Sequence, residues 1–175
     1  FQFVPGGRII SNAGAGFEGT TYINCSVHGF TETAQDSIQG IYRALTEQAL
    51  ILKSECGYGF CCDVMRPRGT QIKGIGNQTP GAVKFLELWD KSSEIITAGS
   101  GKKSNKGEKK FIRKGAQMVT MSCWHPDILE FIEVKQQADT LTKCNMSIVL
   151  SDGFMHAVEQ DADWQLIFPD IENYK

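Results

Sequence analysis

Apolar and polar positions along the chain change period several times, and each change predicts an element. Residues 22–27 form a short strand after the Gly-rich turn at 12–16. Ile38, Ile41, Leu45, Ala49 and Leu52 then recur at helical spacing, giving a helix that Asp36 would cap, running to about Lys53, with Gly57 ending it. A strand is expected over 60–65. Pro67, Gly69, Gly74, Gly76 and Pro80 make 66–81 a loop. A second helix is expected over 81–96, with Val83, Phe85, Leu88, Trp89, Ile95 and Ile96 inward, followed by a polar, basic loop to Lys114.

Residues 116–123 alternate like a strand. His125-Pro126-Asp127 opens a helix, with Pro126 at its first position and Asp127 near the positive end of the dipole, and Ile128, Leu129, Phe131 and Ile132 supply its buried face. A strand over 145–150 and a helix capped by Ser151-Asp152, reaching about Gln160, complete the pattern. Strands alternating with helices predict an α/β fold with a largely parallel sheet. There is no internal repeat, so one domain or part of one is expected, covering 1–175.

Composition narrows the function classes. At 175 residues the chain is long enough for a proper core, and a formal net charge of -2 argues against a polyanion binder as a whole. No stretch approaches the ~20 apolar residues that span a bilayer. No signal peptide is visible and the sequence does not begin with Met, so a processed or excised segment in the cytoplasm is the expectation. Six cysteines in a chain of this size read as mostly free thiols in a reducing compartment, with one of them a candidate for catalysis.

Each candidate has a bland alternative. Cys25, beside Asn24 on the first strand, is either a buried core thiol or a reductant awaiting a second cysteine. Cys56, Cys61, Cys62, Cys123, His125 and Cys144 lack the paired spacing of a structural zinc site. Adjacent Cys61 and Cys62 would point to opposite faces, so no metal is expected. The basic run from Lys102 to Lys114, which includes Arg113, is a solvated loop or a phosphate grip, and with Phe111 as its one aromatic it makes a poor stacking platform for single strands. Arg66 and Arg68 suit bidentate phosphate contacts but are equally ordinary surface arginines. Gly57 and Gly59 form either a weak phosphate loop or a helix cap. His28, His125 and His156 show no triad spacing.

The order of the motifs says more than any one of them. Pro5-Gly6-Gly7-Arg8-Ile9, Ser11-Asn12-Ala13-Gly14 and Asn24-Cys25 are followed by Asp36-Ser37-Ile38, the junction at 53–59, Arg66-Pro67-Arg68-Gly69 and Pro80-Gly81-Ala82-Val83-Lys84-Phe85. Then come Arg113-Lys114-Gly115-Ala116-Gln117-Met118, Trp124-His125-Pro126-Asp127-Ile128, Cys144-Asn145-Met146-Ser147 and Asp152-Gly153-Phe154-Met155. Over nearly its whole length the chain resembles the catalytic subunit of ribonucleotide reductases. The Pro-Gly-Gly-Arg-Ile opening, together with Lys-Gly-Ala-Gln-Met and Trp-His-Pro-Asp-Ile, is most similar to the adenosylcobalamin-dependent class II enzymes.

The resemblance implies the first half of a ten-stranded α/β barrel, a parallel half-barrel with flanking helices. It implies reduction of ribonucleoside di- or triphosphates by radical chemistry, with Cys25 as one of a redox cysteine pair and Asn24, Cys25 and Gly57 lining the substrate site. Asp36, Ser37, Lys53, Arg66 and Arg113 match an allosteric site for a deoxynucleoside triphosphate effector, with 70–81 and 98–115 as its two specificity loops. Adenosylcobalamin would be the cofactor of the complete enzyme. Implied partners are the C-terminal half of the barrel, a thioredoxin-like reductant and a second copy in a homodimer, with neither membrane nor nucleic acid among them. The Asn-x-Cys-x-Glu motif of the radical cysteine and the partner of Cys25 are missing from these residues. The resemblance therefore implies a fragment or split subunit that is inactive alone. The alternative is a non-catalytic, nucleotide-binding regulatory module. The Lys-rich insertion between Gly99 and Arg113, and Cys144 where Phe is common, depart from the family pattern.

Overall fold

The computed structural model describes residues 2–14, 21–29, 36–72, 74, 76–98, 115–136 and 139–169. In chain order these form α1 (Gly7–Asn12), β1 (Cys25–His28), α2 (Ile38–Lys53), β2 (Gly57–Cys61), α3 (Ala82–Ala98), β3 (Gln117–Ser122), α4 (Ile128–Glu133), β4 (Cys144–Val149) and α5 (Asp152–Glu159), with a 3-10 turn at Val134–Gln136. The four strands make one sheet in the order β1-β2-β3-β4, and every pair is parallel. The expected α/β architecture with a parallel sheet is therefore present. Among the described residues no helix is long and apolar enough to cross a membrane.

Alternation along the strands gives the sheet two unlike faces. Tyr58, Phe60, Val119, Met121 and Cys144 point to the helical side and join Ile41, Leu52, Leu86, Trp89, Ile128 and Phe131 in one buried cluster. Register puts Cys25 and Val27 on the opposite side with Gly57, Gly59 and Cys61. Met118, Thr120, Asn145 and Ser147 continue that face across β3 and β4. No described helix covers it: Val27 is 90% exposed and Met118 46%.

Several boundaries differ from expectation for identifiable reasons. Ser37, not Asp36, caps α2, accepting a hydrogen bond from the Gly40 amide at 3.0 Å. Asp36 is engaged with Arg66 instead. The helix turns out at Glu55, which adopts φ 69, so Gly57 is not its cap but the first residue of β2. β2 thus begins three residues before the expected strand. The buried stripe of α2 is Ile41, Ala44, Gln48 and Leu52, while Ile38 is 61% exposed. Gln48 is accepted inside because its amide donates to the Gln117 Oε1 at 2.8 Å and the Trp89 carbonyl at 3.0 Å. On α3, Ile95 faces outward and the small polar Ser93 and Thr97 are buried. Pro126 lies in the turn before α4, whose outer side carries Leu129 and Ile132.

Candidate functional site

The N-terminal ends of β1 and β2 bring together three of the residues singled out above. Cys25 and Gly57 are direct partners in the parallel register. The Gly57 amide donates to the Asn24 carbonyl at 2.9 Å. A β-carbon on Gly57 would stand 2.8 Å from the Cys25 Sγ, so the absence of a side chain is what lets the sulfur lie against the neighbouring backbone. Cys25 is exposed on the open face and is a free thiol. That exposure excludes the buried core reading of Cys25.

The Asn24 side chain is fixed from the other direction. Its Oδ1 accepts from the Arg8 amide at 2.8 Å, and its Nδ2 packs so tightly on Gly6 that a β-carbon there would approach to 2.3 Å. The Pro-Gly-Gly-Arg-Ile segment, including the unanticipated helix α1, therefore buttresses the Asn24-Cys25 corner. Arg8 and Glu55, both nearly fully buried, form an ion pair at 3.3 Å beneath it. Nothing in the spacing of Arg8 and Glu55 signalled that pairing.

A disulfide partner for Cys25 does not come from the described residues. Cys61 shares the open face, but it lies four residues along β2 from Gly57, a rise of about 13 Å. That exceeds the 4.4–6.8 Å between α-carbons that a disulfide spans. Burial, foremost, holds the Cys61 thiol above its ordinary value, with the Asp63 carboxylate also contributing. Cys62 is pushed well up by burial on the helical side. Among the described residues no three His, Cys, Asp or Glu side chains are grouped to hold a metal ion.

The opposite, C-terminal end of the sheet holds a second cluster. Arg66 follows β2 and meets Asp36 in a near-planar grip: Nε donates to the Asp36 carboxylate, a terminal nitrogen donates to the Asp36 carbonyl at 3.2 Å, and the Arg66 amide reaches Oδ1 at 3.2 Å. The other terminal nitrogen donates to the Gln71 carbonyl at 3.4 Å. Three of the five guanidinium N–H groups are engaged in this way, leaving two without a partner among the described residues. The stretches 69–72 and 76–79 pair with each other where the sequence predicts only a loop. Gly69 and Thr79, Thr70 and Thr79, and Ile72 and Asn77 are joined by backbone hydrogen bonds, with a bridge between Gln71 and Gln78, so the two stretches form the arms of a small hairpin.

Asp36, Ser37 and Arg66 are thus neighbours. Lys53 is not: it closes α2 at the other end, about 24 Å along the helix axis from Ser37, and so falls at the Cys25 end of the sheet. Arg113 and the rest of the basic run lie outside the described residues.

The side chains that organise this end were quoted in the Trp-His-Pro-Asp motif but read only as a helix start. His125 is fully buried; its Nδ1 accepts from the Asp127 amide at 3.1 Å, which places the ring proton on Nε2, donating to the Met65 carbonyl at 2.9 Å. The Asp127 carboxylate accepts from the Arg68 amide at 3.0 and 3.1 Å and from the Ala82 amide at 3.0 Å.

Comparison with known proteins is consistent with this geometry. Residues 24–175 match the family model for the ribonucleotide reductase barrel domain. The chain is 33% identical over 140 residues to the ribonucleoside-diphosphate reductase large chain of Cryptosporidium parvum, covering 78% of this chain and 16% of that protein. It is 27% identical over 169 residues to the vitamin B12-dependent ribonucleoside-diphosphate reductase of Mycobacterium tuberculosis H37Rv, covering 96% and 22%. The fold also resembles that of the class Id ribonucleotide reductase alpha subunit of Actinobacillus ureae, with a TM-score of 0.65 and 19% identity over 89% of this chain and 25% of that one. The chain spans about a fifth of the length of the curated relatives it matches.

Proposed function

The chain belongs to the ribonucleotide reductase barrel-domain family, and on that footing we propose that it forms one wall of a site where a ribonucleoside di- or triphosphate is reduced to the deoxynucleotide. The observation that carries this reading is the Cys25 thiol, exposed on the open face of the sheet and pressed against the backbone of Gly57. Asn24, held by Arg8 and Gly6, and the backbone at Gly57 form the pocket wall beside it. Residues 1–175 constitute one partial domain, the first half of the barrel.

Reduction breaks the ribose 2'-carbon–oxygen bond and forms a carbon–hydrogen bond. Oxygen leaves as water, and two thiols supply two electrons and two protons as they join in a disulfide. Cys25 is one of these thiols; the other, and the radical-bearing cysteine, come from the remaining half of the barrel. The likeness to B12-dependent relatives supports adenosylcobalamin as the radical source of the complete enzyme. What this chain contributes in that reading is the thiol wall and an effector end.

At that end Asp36, Ser37 and Arg66 receive a deoxynucleoside triphosphate, with the two remaining Arg66 N–H groups directed at phosphate. The resemblance adds Arg113, which lies outside the described residues, to the proposed phosphate contacts. Lys53, at the far end of α2, is left out of this set. A homodimer formed through the effector end, a thioredoxin-like reductant and a cytoplasmic setting complete the picture, the last supported by six free cysteines.

The test is Cys25→Ser in the enzyme completed by the rest of the barrel, assayed with a dithiol reductant. Turnover is expected to vanish while nucleotide binding persists. Undiminished turnover would remove Cys25 from the chemistry.

A further inference from the structure

We infer that Asp127 is the positioning residue of the hairpin at 69–79 and of the Arg66 stem that leads into it. The inference rests on the effector reading above and adds a residue to it. One carboxylate bridges the two stems of the hairpin: Oδ1 and Oδ2 accept from the Arg68 amide on the incoming strand, and Oδ2 accepts from the Ala82 amide where α3 begins. His125, from the same segment, holds the Met65 carbonyl one residue ahead of Arg66. The junction is closed. Gly81 takes φ 92, and a β-carbon there would lie 2.8 Å from Asp127 Oδ2 and 2.7 Å from the Arg68 β-carbon. Asp127 is 6% exposed and His125 fully buried, so both contacts are shielded from water.

This arrangement joins the effector end to the core through two side chains of one turn. Arg66 is held sideways by Asp36, but its height above the sheet is set by Met65 behind it and Arg68 ahead of it, and both of those are fixed by the His125–Asp127 turn. Asp127→Asn keeps the volume and removes one acceptor. With its oxygen in the Oδ2 position the amide still accepts from both stems, but its NH2 group then stands where Oδ1 accepted from the Arg68 amide at 3.0 Å; turned the other way, the NH2 group faces the Arg68 and Ala82 amides together. The Arg68 stem is loosened in either orientation.

The experiment uses the enzyme completed by the rest of the barrel. Hydrogen exchange is followed in the peptide over 66–82, and binding of each deoxynucleoside triphosphate is measured singly by calorimetry, for the unaltered protein, Asp127→Asn, Arg66→Ala and the double variant. Faster exchange confined to 66–82 is expected, with the effector Kd raised roughly 3- to 30-fold and little further loss when Arg66→Ala is added. A loosened hairpin with an unchanged Kd would overturn the positioning role alone. Failure of the unaltered protein to bind any deoxynucleotide would overturn the effector reading and this inference together. If Asp127→Asn does not fold, the unaltered protein decides: bound deoxynucleotide should slow exchange at the Arg68 and Ala82 amides, and no slowing refutes the inference.

Discussion

Replacing Gly57 with alanine would set a methyl carbon 2.8 Å from the Cys25 sulfur, 3.3 Å from the Asn24 carbonyl oxygen and 3.4 Å from the Ala116 carbonyl oxygen. The two oxygens accept the ladder bonds from Gly57 and Tyr58, so neither can retreat without lengthening a strand contact. The sulfur has to give way. Overpacking of this kind costs about 1–3 kcal/mol, which is roughly a 5- to 150-fold change in the unfolding equilibrium. Gly59 is the matched control, on the same strand and the same face. Its added β-carbon would meet only the Ser26 oxygen at 3.6 Å and the Met118 oxygen at 4.0 Å, which is ordinary contact.

Neither glycine takes a positive φ, so Gly59→Ala should be neutral or stabilising by up to about 1 kcal/mol through the unfolded chain. Urea unfolding followed by tryptophan fluorescence, with Trp89 fully buried, measures both. Adding Cys25→Ala to Gly57→Ala should restore about 0.5–3 kcal/mol relative to additivity. Equal effects at 57 and 59, or zero coupling between 57 and 25, would refute the claim that the sulfur rests on this backbone.

Two further outcomes follow from the thiols. Burial, ahead of the nearby Asp90 charge, pushes Cys144 from 9.0 up to about 12, and burial, ahead of Glu47, pushes Tyr58 from 10.0 to about 12. The folded state keeps these protons where the unfolded chain loses them, so their contribution is complete below about pH 9 and is lost as pH rises toward 12. Urea midpoints at about pH 8 and about pH 10.5 should show the fall, and Cys144→Ala should make it shallower; an unchanged slope counts against the assignment. Iodoacetamide near neutral pH should alkylate Cys25 before the half-buried Cys61 and the buried Cys56, Cys62, Cys123 and Cys144, as read by peptide mass spectrometry. Labelling of Cys61 first would contradict the exposure described.

Much of the fold could be read from periodicity because most elements bury one clean face. β3 and α3 fall within two residues of expectation in extent, and Val83 and Trp89 are inward as expected, but the inner face of α3 carries Leu86, which is not among the expected residues, while Ile95 faces out. α2 was legible in extent but not in rotation. Its inner face includes Gln48, whose burial depends on Gln117 and Trp89, partners remote in sequence. α1 was hidden because its buried residues are Arg8 and Asn12, so no apolar stripe marks it. The left-handed Glu55 was equally invisible, as glycine two residues on was the natural place for the turn. At the site, motif order singled out Cys25, Gly57, Asp36 and Arg66, and the fold sets Cys25 beside Gly57 and Asp36 beside Arg66. The roles of His125 and Asp127 emerge only when the chain is folded, because the groups they hold are backbone atoms that any residue would provide.

The spatial order of the sheet is also its order in the chain. Each strand after β1 pairs with the strand synthesised just before it. Such a topology suits growth from the N-terminus during translation, because no strand waits for a neighbour encoded later. Among the described residues β1 and β4 each keep one unpaired edge, so assembly in this order leaves two seams open to hydrogen bonding by another strand.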